Sequence, residues 1–153
     1  MEVLEVANRE ALEARAEKFD DALTKLLRAA QLPQNRIGRL VPITLMSPLL
    51  STTGPEQDDG AALLITALPG SACFLRARRF SREGGWDQRA GTMQPALATA
   101  AGGVFVIELR QHWREVLHLL HKLEQQGIGE RRCQGYGQLR CFDPFILSRT
   151  LTR

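Results

Sequence analysis

The sequence lacks any long apolar segment. Within its 153 residues, no apolar run approaches the roughly 20 residues that a helix needs to cross a bilayer. The start of the chain also lacks the basic and apolar stretches of a secretory signal, and Glu2, Glu5 and Glu10 stand there instead. We therefore expect a protein that is not inserted in a membrane and that remains in the cytoplasm.

The number and spacing of the cysteines and histidines do not indicate a disulfide framework or a metal site. The three cysteines, at positions 73, 133 and 141, are odd in number and include no C-x-x-C spacing. The three histidines, at 112, 118 and 121, share one predicted helix without a carboxylate or cysteine at a spacing that completes a metal shell. We expect reduced thiols, a solvated His118, and neither a metal nor a cofactor.

Charge is distributed unevenly along the chain. Residues 1–60 hold 7 basic and 10 acidic side chains, whereas residues 61–153 hold 13 basic and 7 acidic ones. Arginine accounts for 17 of the 20 basic residues, and its planar guanidinium suits bidentate contacts with phosphate and stacking on bases. The C-terminal part therefore suits a nucleic-acid partner, although a basic protein-binding surface would have the same composition.

Apolar spacing predicts a long leading helix over about residues 7–30. Its stripe repeats at alternating intervals of four and three residues and consists of Leu12, Ala16, Phe19, Leu23, Leu26 and Ala30. Pro33 ends it. A chain of this length suits one packed core, so we divide it into a leading helix with a linker, 1–35, and a single domain, 36–153. The helix is expected to pack on that domain.

The rest of the chain alternates between predicted strands and helices. A strand begins near Leu40, and its prolines Pro42 and Pro48 favour an edge or irregular position. The remaining predictions are a short helix at 61–68, a basic strand at 72–82, a small-residue loop with one extended piece at 91–103, a buried strand at 104–108, a helix at 111–126 and a last strand at 136–142. This strand and helix order, βαββαβ, is that of an α+β, ferredoxin-like fold, an antiparallel sheet with two helices on one face.

A glycine-rich loop over residues 127–137 carries the most specific pattern in the chain. Two Gly-apolar-Gly clamps, Gly127 to Gly129 and Gly135 to Gly137, flank the pair Arg131 and Arg132. Glycines permit sharp bends and close approach of another backbone, and guanidiniums beside exposed N–H groups attract anions. The loop therefore predicts a nucleic-acid contact, and the structural alternative is a plain turn between a helix and a strand.

Three segments together resemble the RAMP superfamily of CRISPR-associated proteins. The first is the glycine-rich loop, which follows an amphipathic helix. The other two are Gly84-Gly-Trp-Asp87 and Ala98-Thr-Ala-Ala-Gly-Gly-Val-Phe-Val-Ile107, which are similar to the Gly-Trp-Asn and Ala-Gly-Ser-Val segments of one type III subgroup. Asp87 replaces Asn and Gly103 replaces Ser. The resemblance covers roughly residues 10–145 and implies a ferredoxin-like RAMP domain.

The resemblance implies a role in antiviral defence. The subgroup supplies the subunit that caps the 5′ tag of CRISPR RNA in a type III effector complex, a ribonucleoprotein. Its members resemble two fused ferredoxin-like domains, and this chain is similar only to the C-terminal one. The implied partners are CRISPR RNA, other RAMP backbone subunits and the large subunit of the complex. The missing N-terminal RAMP domain has three explanations: a split subunit in which a separate chain supplies it, a truncated gene, or a fragment of a longer protein.

The favoured hypothesis for the site is RNA binding without catalysis. The backbone of Gly127 to Gly137, with Arg131 and Arg132, would hold phosphates, and Tyr136 or Trp86 would offer a face to a base. The alternative for Trp86 is a core aromatic at a strand end. The basic strand would add Arg76, Arg78 and Arg79, with Arg82, facing either an RNA groove or an acidic subunit.

Two alternatives remain open at this point. Some RAMP proteins are endoribonucleases that process precursor CRISPR RNA, usually with a histidine as general acid or base. No histidine lies beside the glycine-rich loop in this sequence, so catalysis is disfavoured. The other alternative is a scaffold half-domain that binds protein neighbours through the acidic leading helix and contacts RNA little.

Overall fold

The structure is a computed structural model that describes residues 2–57, 59–87 and 91–148. It is an α+β protein with a long N-terminal helix and an antiparallel sheet. The helices are α1 (Glu2–Ala29), α2 (Ala61–Ala67), α3 (Leu117–Gln126) and α4 (Pro144–Ser148). The strands are β1 (Leu40–Leu45), β2 (Ala72–Ala77), β3 (Phe80–Asp87), β4 (Gly91–Thr99), β5 (Val104–Glu108) and β6 (Leu139–Cys141). None of the described helices is long and apolar enough to cross a membrane.

Helix α1 packs on the rest of the protein through the first half of its predicted stripe. Leu12 and Ala16 are completely buried in the same core as the sheet, whereas Leu26, two turns beyond Phe19, is 53% exposed. Polar contacts hold the same segment, since Trp113 Nε1–H donates to Asp20 Oδ2 at 2.7 Å. The leading helix therefore belongs to the main core over its middle turns only.

The main sheet has the strand order β2-β5-β1-β6, and its pairings are all antiparallel. The prediction that β1 is an edge or irregular strand was wrong, because β1 lies between β5 and β6 and is buried along its whole length. Pro42 is tolerated because its carbonyl faces β6 and accepts from Phe142 N–H at 2.8 Å, just past the last residue of β6. Proline has no N–H to donate, and at Pro42 the hydrogen-bond ladder between β1 and β6 has already ended, so no ladder bond is lost.

Strands β3 (Phe80–Asp87) and β4 (Gly91–Thr99) pair antiparallel and form a second, two-stranded sheet, which we call the β3-β4 hairpin. The sequence predicted mostly loop here, and a single basic strand over 72–82. Instead β2 ends at Ala77 and β3 begins at Phe80, and the predicted extended piece is the nine-residue strand β4. Phe80 and Leu97 are 43% and 37% exposed, so these strands have no fully buried apolar face. Their sequence therefore lacks the apolar-polar alternation by which a half-buried strand is predicted.

Helices α2 and α3 cover one face of the main sheet. Alternate residues of the central strands, such as Ile43 and Phe105, form one buried cluster with Leu64 of α2 and Leu120 of α3. The helix predicted over 111–126 is confirmed over Leu117–Gln126, and a 3-10 turn over Trp113–Val116 leads into it. Gly127 ends α3 by donating its N–H to the Leu123 carbonyl at 2.8 Å. The last strand is shorter than predicted, since only Leu139–Cys141 pair with β1.

Candidate nucleic-acid interface

The two glycine clamps of residues 127–137 are pressed against each other. Ile128 N–H donates to the Gly137 carbonyl at 2.9 Å, so the loop is closed at its base. A Cβ on Gly127 would lie 2.6 Å from the Gly137 oxygen, and a Cβ on Gly137 would overlap the Ile128 carbonyl. Both glycines also have positive φ, 64° and 69°. The clamps are therefore required by the fold of the loop itself.

Most backbone donors of the loop are used inside the protein. Gly127 donates to Leu123, Gly135 donates to the Arg132 carbonyl at 3.0 Å, and Gly137 donates to the Pro48 carbonyl at 2.9 Å. Within the loop, which the structure describes throughout, the N–H groups without a protein acceptor are those of Gly129, Arg131, Arg132 and Cys133, which we call the loop tip. The predicted set of phosphate-binding N–H groups therefore narrows to the tip.

Arg131 and Arg132 line different cavities although they are neighbours in sequence. Arg131 adopts a left-handed conformation, φ 54° and ψ 32°. It is half-buried and lines a cavity of about 360 Å³ shared with Leu97 of β4, which we call the hairpin-side cavity. Arg132 is exposed and lines a cavity of about 570 Å³ between α2, α3 and the loop, which we call the helix-side cavity. Both arginines also line an open depression around the loop tip, which lies between these two cavities.

The two predicted stacking residues are placed differently. Tyr136 is half-buried beside the tip, and its N–H reaches toward the Arg131 carbonyl at 3.4 Å. The backbone of Trp86 lies in β3 opposite Thr92, and its side chain is outside what the structure describes. The stacking of a base on Trp86 therefore stays a prediction.

Arg76 and Arg78 share a buried carboxylate. Asp59 is only 4% exposed, and its Oδ2 is 3.3 Å from Arg76 Nη1 and also contacts Arg78 Nε. Its Oδ1 accepts from Ala61 N–H at 3.2 Å, at the start of α2. A buried carboxylate requires such compensation. These two arginines therefore hold β2 to α2 and are partly neutralised, whereas Arg79 is exposed and has no ion pair among the described residues.

Two exposed phenylalanines near these arginines were missed by the sequence analysis. Phe74 is 48% exposed with the Arg36 guanidinium 4.6 Å from its ring centre. Phe80 is 43% exposed with the Arg78 guanidinium at 5.3 Å. Exposed rings beside guanidiniums are suited to stacking with bases. The interleaving of Phe with Arg over residues 74–82 is the signal that would have indicated them.

Two of the three thiols have a raised pKa, whereas the third, Cys133, is exposed. Burial raises the pKa of the Cys141 thiol well above its ordinary range, and the nearby Glu124 carboxylate raises it further. Burial also raises the pKa of Cys73. His118 is solvent-exposed as expected, but His121 is buried. Across the described ranges, no three His, Cys, Asp or Glu side chains group as metal ligands.

The chain matches no protein-family model and no curated protein. The site must therefore be interpreted from its own chemistry. The guanidiniums of Arg131 and Arg132 and the four N–H groups of the loop tip can bind an anion. The half-exposed rings of Phe74 and Phe80 lie on β2 and β3, apart from the loop, and can stack with flat groups there.

Proposed function

We propose that this protein is a non-catalytic RNA-binding subunit, or half-subunit, of a type III CRISPR effector complex in the cytoplasm. In this proposal it is a ferredoxin-like RAMP domain that helps to hold the 5′ tag of CRISPR RNA. The order β2-β5-β1-β6, with α2 and α3 on one face, supports this fold assignment, because it is the order that two interleaved βαβ units produce once the β3-β4 hairpin is treated as an insertion.

The observation that carries the proposal is the loop tip. The closed clamps hold Arg131 and Arg132 beside N–H groups that have no acceptor among the described residues. Such a tip is preorganised for phosphates, because little loop freedom remains to be lost on binding. The half-exposed rings of Phe74 and Phe80 supply stacking faces, which suits single-stranded RNA better than a duplex.

We propose binding and not cleavage. A general acid or base must reach the scissile phosphate, whereas His121 is buried in the core side of α3 and His112 Nδ1 accepts from Arg114 N–H at 3.2 Å. The remaining histidine, His118, is exposed on α3.

The test is a salt titration of RNA binding by the Arg131→Ala, Arg132→Ala double variant. Its matched control is Arg9→Ala, Arg28→Ala, which removes two exposed arginines from α1. Fluorescence anisotropy with a short single-stranded RNA should show weaker binding only for the loop variant. Its log K against log salt slope should be shallower by about 0.7 for each phosphate that the variant no longer neutralises. Wild-type affinity of the loop variant across all salt concentrations would make the loop purely structural.

The assignment to a CRISPR complex needs a separate experiment. Sequencing of the RNA that copurifies with the tagged protein from its source cells should show repeat-derived 5′ ends. A random sample of cellular RNA would contradict this part of the proposal while leaving RNA binding intact.

One observation favours a second function, a protein scaffold. Strand β2 is the edge of the main sheet, and Phe74 and Leu75 on it are about half exposed. An open edge with apolar side chains is typical of a strand that pairs with another chain. If the purified chain fails to bind RNA but becomes soluble and folded only with a second RAMP subunit, this function replaces the first.

A further inference from the structure

The helix-side cavity has the size and lining of a small-molecule site. Its volume of about 570 Å³ lies within the usual range for ligand pockets, roughly 300–1,000 Å³. The floor is apolar and comes from both helices and the loop: Leu63, Ala67, Leu119, Leu123 and Ile128. Leu63, Ala67 and Leu119 are only half-buried, so this apolar floor is accessible from solvent.

The rim of the cavity is polar and carries more positive than negative charge. Lys122 and Arg132 are both exposed, and neither has an ion pair within the described ranges. Glu130 is the acidic residue at the rim, and its Oε1 accepts from the Thr52 hydroxyl at 3.1 Å. The N–H of Gly129 at the same rim has no protein acceptor among the residues described. A ligand with an anionic group and a flat apolar body would complement this lining.

The cavity is continuous with the proposed RNA contact through Arg132. Arg132 lines both the helix-side cavity and the open depression around the loop tip, where Arg131 also lies. An RNA backbone held at the tip would therefore pass the mouth of the cavity. Uncharged hydrogen-bonding side chains at the mouth, Thr53 and Gln126, could pair with the edge of a base.

We propose that the helix-side cavity accepts one unstacked nucleotide of the bound RNA. Its phosphate lies at Arg132 and Lys122, and its base lies on the apolar floor between α2 and α3. This inference rests on the proposed function, and it adds a base-binding cavity beside the phosphate contacts of the loop tip.

The first experiment fills the cavity. Ala67→Leu enlarges a side chain that lines it, and Ala62→Leu is the matched control, because Ala62 is exposed on the same helix and outside the lining. Leucine is a good helix former at both sites. With a short single-stranded RNA, Ala67→Leu should weaken binding about tenfold, the effect expected when one base is no longer bound, and Ala62→Leu should bind like wild type. Thermal unfolding of both variants controls for folding.

The second experiment identifies the occupant. An abasic nucleotide is moved stepwise along the RNA, and at one position it should weaken wild-type binding about as much as Ala67→Leu does. At that position the two changes should not add, because both remove the same interaction. Additive losses at every position would overturn the inference, since the cavity would then affect only loop shape or bind a protein side chain.

A surface variant keeps the test independent of packing. Lys122→Gln should weaken RNA binding and reduce its salt dependence, whereas Lys25→Gln on the exposed side of α1 should do neither. If Ala67→Leu and Lys122→Gln both bind RNA like wild type while the loop double variant is weakened, the cavity inference fails and the proposed function stands. If wild type binds no RNA, both fail.

Discussion

Gly137→Ala should destabilise the protein far more than Gly135→Ala, although both glycines lie in the same loop with positive φ, 69° and 88°. Alanine in this backbone region costs about 1–2 kcal/mol through steric strain alone. Nothing lies within 4 Å of a Cβ built on Gly135, so that cost is the whole effect there. At Gly137 the Cβ would overlap the Ile128 carbonyl, which itself belongs to the closed base of the loop.

The overlap adds an overpacking cost of about 1–3 kcal/mol to the strain at Gly137. We therefore expect a loss of about 2–5 kcal/mol in the free energy of unfolding for Gly137→Ala, against about 1–2 kcal/mol for Gly135→Ala. Urea unfolding followed by circular dichroism measures both from the midpoint at constant slope. Equal losses in the two variants would refute the argument that the clamps press against each other.

The same pair of variants connects loop shape with binding. If the clamps position the arginines at the tip, Gly137→Ala should also weaken RNA binding under conditions where the protein is still folded. Gly135→Ala should bind nearly as tightly as wild type. Weakened stability with unchanged RNA affinity would separate the loop's fold from its proposed function.

Further predictions concern three buried polar groups. Asp59→Ala should lower the free energy of unfolding by about 2–3 kcal/mol. This is less than the loss for a fully buried ion pair, because the Arg76 and Arg78 side chains are 51% and 30% exposed and can be rehydrated. Urea unfolding measures this loss, and a value below about 0.5 kcal/mol, typical of an exposed ion pair, would contradict the prediction. Asp20→Ala should lower the free energy of unfolding by about 1–3 kcal/mol, because Trp113 Nε1–H loses its acceptor. Thermal unfolding measures this loss, and Asp21→Ala is the control, because Asp21 is exposed on the same helix. Burial raises the pKa of the Cys141 thiol in the folded state. The contribution of this thiol to the free energy of unfolding is therefore complete below the thiol pKa of the unfolded chain, about 8.5, and is lost as pH rises above that value. Wild type should therefore lose more stability than Cys141→Ala between about pH 7 and about pH 10, and parallel pH profiles would exclude this linkage.

The elements that sequence analysis predicted well are those whose pattern is local. Helices α1 and α3 follow from apolar residues repeated at helical spacing, and Gly127 marks the end of α3. The 3-10 turn over Trp113–Val116 was predicted as part of the helix over 111–126. The edge position assigned to β1 was wrong because pairing partners are distant in sequence: β1 pairs with β5 and β6, about 60 and 100 residues further on. No local pattern around Pro42 carries that information.

The candidate site divides in the same way. The glycine clamps and the arginine pair were visible as a motif, because close backbone approach requires glycine and anion binding favours arginine. Their sequence did not indicate that most loop N–H groups donate within the protein. It also did not indicate that Arg132 lines the helix-side cavity while Arg131 lines the hairpin-side cavity. The sequence did not indicate that Asp59 is buried, and only its burial makes it the partner of Arg76 and Arg78.

By itself, the sequence determined which residue types are available: an arginine-rich C-terminal part, few thiols and histidines, and a loop that must bend sharply. The tertiary structure alone decided which of them meet. Burial, sheet order and the helix-side cavity arise from contacts between distant segments, and each depends on the free energy of packing the whole chain, which no short segment specifies.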